Sequence, residues 1–245
     1  MNRIVSLVPS ITELVCELGL ARELVGRTGF CIHPKETLKR IPKIGGTKSV
    51  NLKKIRALAP THVIVNVDEN KKETADALAE FVPNVIVTHP LATLDNLALY
   101  RQIGSAFGKE PEAVDLCARF EIAFREAAKR KFPQRKILYL IWKDPWMTVA
   151  RDTYVSRTLG LFGLQTLPES AAARYPEISL EETWLQDVEL VLLSSEPYRF
   201  RQKHLDAIKS ALGKPARLID GEMTSWYGPR AIQGLRYLAN FSASL

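Results

Sequence analysis

Five large aromatic residues, Trp142, Trp146, Tyr198, Trp226 and Tyr227, fall just after segments that read as apolar strands, in company with the carboxylates Asp144, Glu196 and Glu222. Large rings at a rim, with a few acidic groups among them, suit a flat ligand with an apolar face and polar edges. The blander alternative is that one or two of these rings plug a core. Upstream, Ser10, Cys31, His33, Glu69, Asn70 and His89 also follow strand ends. Cys31 and His33 could ligate a soft or borderline metal, alone or with a carboxylate; equally, a thiol and an imidazole can simply line a wall. No nucleophile–base–orienter set stands out, and the patterns G-x-S-x-G, H-E-x-x-H and G-x-G-x-x-G do not occur. Thr47 precedes Lys48 where a phosphate loop needs glycine, which argues against nucleotide binding there. Binding without catalysis is therefore the expectation.

Positions of that kind require short strands whose carboxyl ends gather on one edge. Arg3–Val8 reads as a strand, and a helix over residues 11–18 is closed by Gly19. Strands follow at 24–27, 62–66 and 85–88, and helices at 52–58, 71–81 and about 94–107. After Pro133 the order recurs. Lys136–Ile141 matches Arg3–Val8, Ser179–Tyr198 lies over Asn51–Asn70, and Arg217–Asp220 matches Val85–Thr88. Segments kept in one order on both sides make an internal duplication of a strand–helix unit. The fold class expected is α/β, with two Rossmann-like lobes, mainly parallel sheets and right-handed crossovers. Ligands of such sheets bind beyond the strands' carboxyl ends, so two facing lobes would offer one cleft.

Between the copies, Glu110–Lys131 predicts one long backbone helix. Its start is acidic (Glu110, Glu112, Asp115), its end is basic (Lys129, Arg130, Lys131), and Pro133 stops it. Leu116, Phe120, Ala123, Phe124 and Ala127 recur at helical spacing as one apolar stripe. At its full length it would span roughly 33 Å. The expected division is a lobe over 1–109, the bridging helix over 110–132 and a second lobe over 133–245.

The 245 residues suffice for two small lobes, each with a core. The formal charge of +7 reads as dispersed, with no basic run interleaved with aromatics, so no nucleic-acid partner is predicted. No stretch is apolar enough for membrane insertion. The three cysteines lack C-x-x-C spacing and suggest no disulfide framework; Cys16 and Cys117 are expected to be buried thiols. No secretory leader precedes the first strand, so the chain reads as cytoplasmic, or as periplasmic or cell-surface if it is a mature form.

Several stretches carry a resemblance. Arg3–Leu14 (RIVSLVPSITEL), Gly46-Thr47 through Asn51–Ile55, Leu58–Ile64 (LAPTHVI) and Trp226–Arg230 (WYGPR) are similar to the helical-backbone periplasmic binding proteins of ABC importers, nearest to their cobalamin-binding branch. The resemblance implies two α/β lobes on one stiff helix, modest closure on a ligand, and a corrin held edge-on between aromatics of both lobes. Trp226 falls on such an aromatic position. It also implies a small-molecule ligand, no cofactor beyond the cobalamin or other metal chelate carried, an ABC permease as partner, and a monomer. Asn66 stands where that branch has an aromatic. Lys72 and Glu73 stand around the first-lobe docking acid, and Gly228 near the second, with Glu222 close by. The leading expectation is a receptor for a corrinoid or related chelate, with the aromatics on the macrocycle and Asn70, Asp144, Glu196 and Glu222 on its amide edges. The alternatives are a metal-ion, ferric-siderophore or haem receptor using Cys31, His33 and Glu69, and a cytoplasmic corrinoid-handling protein or enzyme.

Overall fold

His62–Asn66 (HVIVN) and Leu190–Ser194 (LVLLS) are near-continuous apolar runs, the pattern of strands covered on both faces. In the computed structural model, which describes residues 2–245, they occupy equivalent places in two sheets. The first sheet contains β1 (Ile4–Ser6), β2 (Leu24–Arg27), β3 (His62–Asn66) and β4 (Asn84–Thr88), in the order β2-β1-β3-β4. Its helices are α1 (Pro9–Glu17), α2 (Lys35–Leu38), α3 (Leu52–Ala57), α4 (Lys72–Ala79) and α5 (Asp95–Ala106). The long helix α6 runs Glu110–Ala128. The second sheet contains β5 (Arg135–Leu140), β6 (Leu164–Thr166), β7 (Leu190–Ser194) and β8 (Ala216–Ile219), in the order β6-β5-β7-β8. With it come α7 (Tyr154–Gly160), α8 (Gln202–Leu212), α9 (Gly221–Ser225) and α10 (Arg230–Ala243). Every pairing is parallel.

The shared strand order is what the duplication predicts. Its short-helix element differs between the copies. Asn51 caps α3 by accepting from Lys54 N at 2.9 Å, whereas residues Thr183–Asp187 form only a 3-10 turn. The three-residue β6 and the helices α2, α7, α8, α9 and α10 add to the elements expected from sequence.

By contacts the chain divides into two units. The first holds residues up to Pro90, Asp95–Arg119 and Tyr227–Pro229; the second holds Leu91–Leu94, Phe120–Trp226 and Arg230–Leu245. The division falls inside α6. Ala113 and Cys117 pack on α5, where Cys117 Sγ meets Leu97 O and a Cβ on Gly104 would strike Ala113, while Phe120 stacks on Phe124 at 6.1 Å. The helix stops at Ala128 rather than Lys131; beyond it, the Arg130 guanidinium turns to Asn240 Oδ1 at 3.2 Å.

In the first unit Val5, Leu7, Ile44, Ile55, Val63, Val65 and Leu78 form a buried cluster beneath α3 and α4. In the second, Leu138, Leu140, Val191, Leu193, Phe200, Leu205 and Ile208 do the same beneath α8. The three cysteines are free thiols, Cys16 only half-buried. Among the described residues no helix is long and apolar enough to cross a membrane.

Candidate functional site

In each sheet the chain leaves the central pair of strands in opposite directions, which makes a switch point at their carboxyl ends. In the first unit that point lies between the loops after β1 and β3. Asn66 and Asn70 tie the second of these down. Asn66 Oδ1 accepts from Asp68 N at 2.9 Å and Glu69 N at 3.3 Å, and its Nδ2 donates to Thr88 O at 3.0 Å. Asn70 Oδ1 accepts from Asn66 N at 2.8 Å, and its Nδ2 donates to Thr47 O at 3.0 Å. Both residues are buried. Asn70 is thus a pin of the loop rather than a free ligand donor, and Asn66 organises the same turn.

The turn presents Glu69, whose Oε1 accepts from Tyr227 Oη at 2.5 Å. As a residue Glu69 is only half-buried, but the surroundings of its carboxyl are dry. Desolvation pushes its pKa from 4.5 up to about 7; Tyr227 and Lys48 oppose the shift and Asp68 adds to it. Nearby, Lys48 Nζ donates to Asp68 O at 2.6 Å, and His89 Nε2 lies 3.5 Å from Asp68 Oδ1.

A carboxyl whose pKa rises on folding binds more protons folded than unfolded, so its ionised form destabilises the fold. That cost is absent below about pH 4.5 and grows until pH passes about 7. Glu69→Gln is therefore expected to flatten the fall in stability over this window. Above pH 7 it should exceed the parent by up to about 3 kcal/mol. Urea denaturation followed by circular dichroism at several pH values measures this, and parallel pH profiles for the two proteins would refute it.

Ser10, in the first turn of α1, is buried, and its Oγ has no hydrogen-bond partner among the described residues. Cys31 is fully buried, with Thr12 Oγ1 donating to its sulfur at 3.0 Å and a hydrogen bond of 3.1 Å joining the sulfur to Thr28 Oγ1. Burial pushes the thiol pKa up, away from the thiolate a metal would need. His33 is half-exposed two residues on. Among the described residues no group of three or more His, Cys, Asp or Glu side chains is arranged to hold a metal ion. Metal ligation by Cys31 and His33 therefore has no support from the geometry.

In the second unit the switch point lies between the loops after β5 and β7, which Tyr198 N joins by donating to Ile141 O at 3.2 Å. Here the aromatics cluster. Trp142 meets Tyr198 edge-on at 5.7 Å, Tyr198 contacts Phe200 at 4.6 Å, and Trp146 lies parallel to Phe200 at 6.2 Å. Trp142 is 39 % exposed, Tyr198 and Trp146 are part-exposed, and Phe200 is buried beneath them. His204 Nδ1 accepts from Arg201 N at 2.8 Å, which leaves the proton on Nε2, 3.4 Å from Tyr198 Oη. One histidine thus caps α8 and supports the platform. Asp144 is exposed beside it, paired with Lys143 at 2.5 Å.

The remaining candidates are engaged with one another. Trp226 and Tyr227 are each 7 % exposed, so neither offers an open face. Glu196 Oε1 accepts from Trp226 Nε1 at 2.5 Å and from Ser225 Oγ at 3.1 Å. Glu222 Oε2 pairs with Arg230 Nη1 at 3.1 Å, and the Arg230 guanidinium lies 5.0 Å from the centre of the Trp226 ring. Expected as groups for ligand amide edges, Glu196 and Glu222 instead hold Trp226 and Arg230 in position. Any side chain at Gly221 would collide with Ser194 Oγ and Glu196, which keeps that corner closed. Phe200 and His204 were not among the site residues read from sequence. The helical-cap spacing of His204 and the aromatic alternation Tyr198-x-Phe200 are the signals that could have found them.

A family model described as periplasmic binding protein matches residues 4–212. The vitamin B12-binding protein of Vibrio vulnificus (strain CMCP6) is 24 % identical over 197 residues, covering 79 % of this chain and 71 % of that one. That of Vibrio parahaemolyticus is 27 % identical over 201 residues, with the same coverage. Among solved structures, the periplasmic vitamin B12 binding protein BtuF of Vibrio cholerae superposes with a TM-score of 0.85 at 16 % identity, covering 99 % of this chain and 97 % of that one. The periplasmic heme-binding protein RhuT from Roseiflexus sp. RS-1 in apo form gives 0.80 at 23 % identity, with 100 % and 99 % covered. At these identities the structural matches speak for the two-sheet α/β fold.

Proposed function

Because the chain belongs to the periplasmic binding protein family, we propose that it captures a corrinoid of the cobalamin class and hands it to an ABC permease, acting as a monomer outside the cytoplasmic membrane. The cytoplasmic reading is withdrawn, since the relatives are periplasmic binding proteins. Relatives named for vitamin B12 support the ligand class. The observation that carries the reading is the part-exposed Trp142–Tyr198–Trp146 group at the carboxyl ends of β5 and β7. A flat macrocycle laid on such rings gains dispersion and apolar burial, while the rings, already fixed by Phe200 and His204, lose little side-chain entropy. Asp144, exposed beside the platform and paired with Lys143, is the acidic group placed to reach an amide edge with its remaining lone pairs.

Haem is the second reading, favoured by the fold match to a heme-binding protein. It would require an axial ligand from the chain, and the buried Cys31 thiol, already bonded to two threonines, is poorly suited to that role. No observation favours an enzyme.

Titration with cyano- and aquocobalamin, followed by tryptophan fluorescence, tests the proposal. All four tryptophans belong to the second unit, and two of them, Trp142 and Trp146, are in the platform. Saturable quenching at micromolar concentration or below, dominated by Trp142, is expected after an inner-filter control with free tryptophan. No quenching by corrinoids but saturation by haem would overturn it.

A further inference from the structure

The formal charge is not dispersed, as it first reads. Residues 35–56 carry eight Lys or Arg side chains against one acid, Glu36, a net +7 that equals the charge of the whole chain. The rest of the molecule is therefore neutral in sum, and one segment of the first unit holds the imbalance. All eight basic residues are exposed. Lys39 pairs with Glu36 at 2.7 Å, and Lys48 donates to Asp68 O. Among the described residues no ion pair is found for Arg40, Lys43, Lys53 or Lys54.

The fold holds this segment outward. It runs beside β2, the edge strand of the first sheet: Arg27 N donates to Pro42 O at 3.0 Å and Ile44 N to Arg27 O at 2.9 Å. Asn51 N then donates to Ile44 O at 2.8 Å, closing the loop. Ile44 and Ile55 enter the core, which leaves Lys43, Lys53 and Lys54 in solvent. Two apolar side chains stand in the open on the neighbouring loop, Phe30 at 62 % and Ile32 at 48 % exposure. The Phe30 ring lies against the basic loop, 3.4 Å from where a Cβ on Gly46 would be.

We infer that this basic, apolar-tipped edge of the first unit docks on an anionic phospholipid surface. Six of the eight basic residues are lysines. Point charges on flexible stems suit a diffuse anionic layer, whereas nucleic-acid phosphates are more often gripped by the planar fork of arginine. No aromatic stacking series interleaves them, as single-stranded nucleic acid would need. Exposed Phe and Ile beside the charges have a use at a headgroup boundary. Attraction of this kind decays within a Debye length, so it acts only on a surface the segment can touch.

The test is co-sedimentation of the full chain with vesicles of phosphatidylglycerol and phosphatidylcholine in equal parts, against pure phosphatidylcholine. Binding to the mixed vesicles alone, falling steeply with added salt, is expected. Each lysine near the surface contributes about fivefold, so Lys43→Gln, Lys53→Gln and Lys54→Gln together should weaken partitioning on the order of 100-fold. The same loss of charge in Lys131→Gln, Lys203→Gln and Lys209→Gln should leave it nearly unchanged. Phe30→Ser should cost several-fold in a manner that salt does not alter. An unchanged thermal midpoint shows each variant to be folded. Equal binding to both vesicle types, or equal loss in both triple variants, overturns the inference. So does poly-glutamate or nucleic acid binding where anionic vesicles do not, which would make the partner an acidic macromolecule.

Discussion

Trp142→Ala combined with Tyr198→Ala is expected to lower affinity for cobalamin by two to three orders of magnitude while leaving the second unit folded. Aromatic anchors at the centre of a binding surface typically cost about 2 kcal/mol or more when truncated, roughly thirtyfold each. Trp142 and Tyr198 touch edge to face at 5.7 Å, so their effects should couple rather than add fully. Their part exposure means that truncation empties little of the core. Tyr198→Phe keeps the ring and loses only the oxygen near His204 Nε2, so it should retain affinity within a few-fold. Calorimetric titration with cyanocobalamin measures all three proteins. Affinity in the double variant within threefold of the parent would mean that the ligand does not use this platform.

That platform was legible in the sequence because its signal is local: large rings directly after runs that can only be strands. The duplication was legible for a related reason. Leu190–Ser194 keeps the length and apolar pattern of His62–Asn66, and burial on both faces of a parallel sheet enforces that pattern wherever the copy stands. The resemblance to periplasmic binding proteins rested on short stretches too, and the family match over residues 4–212 takes in those of the first unit but ends before Trp226–Arg230. What stayed hidden depends on partners distant in the chain. Glu196 looks like a free carboxylate until Trp226, 30 residues later, is seen to donate to it. Asn70 looks like a polar loop residue until its amide is found on Thr47 O, 23 residues earlier. Cys31 and His33 suggest a ligand pair because spacing cannot reveal that Thr12 and Thr28 already enclose the sulfur. The three-residue β6 is too short to show a period at all.

The residue that sequence hid most completely yields the second large effect. Phe200→Ala is expected to destabilise the second unit by about 3–5 kcal/mol and to weaken ligand binding as well. Phe200 is buried among Leu138, Leu140, Leu193, Leu205 and Ile208, so truncation leaves a cavity in the main cluster of that unit. The whole stability of a domain is typically only about 5–15 kcal/mol, which makes this a large share. The same ring is the floor on which Tyr198 and Trp146 rest, and it meets His204 at 90° and 5.5 Å. Without it the rings above gain rotational freedom, and binding must then order them again. Phe200→Leu separates the two roles. It refills most of the volume and should recover much of the stability, but it offers no flat face to Trp146 or Tyr198, so affinity should recover less than stability does. Urea denaturation read by tryptophan fluorescence reports this unit alone, since every tryptophan lies within it. If Phe200→Ala loses stability yet binds corrinoid as the parent does, Phe200 is a core residue only, and the platform is held by His204 and the backbone bond from Tyr198 to Ile141.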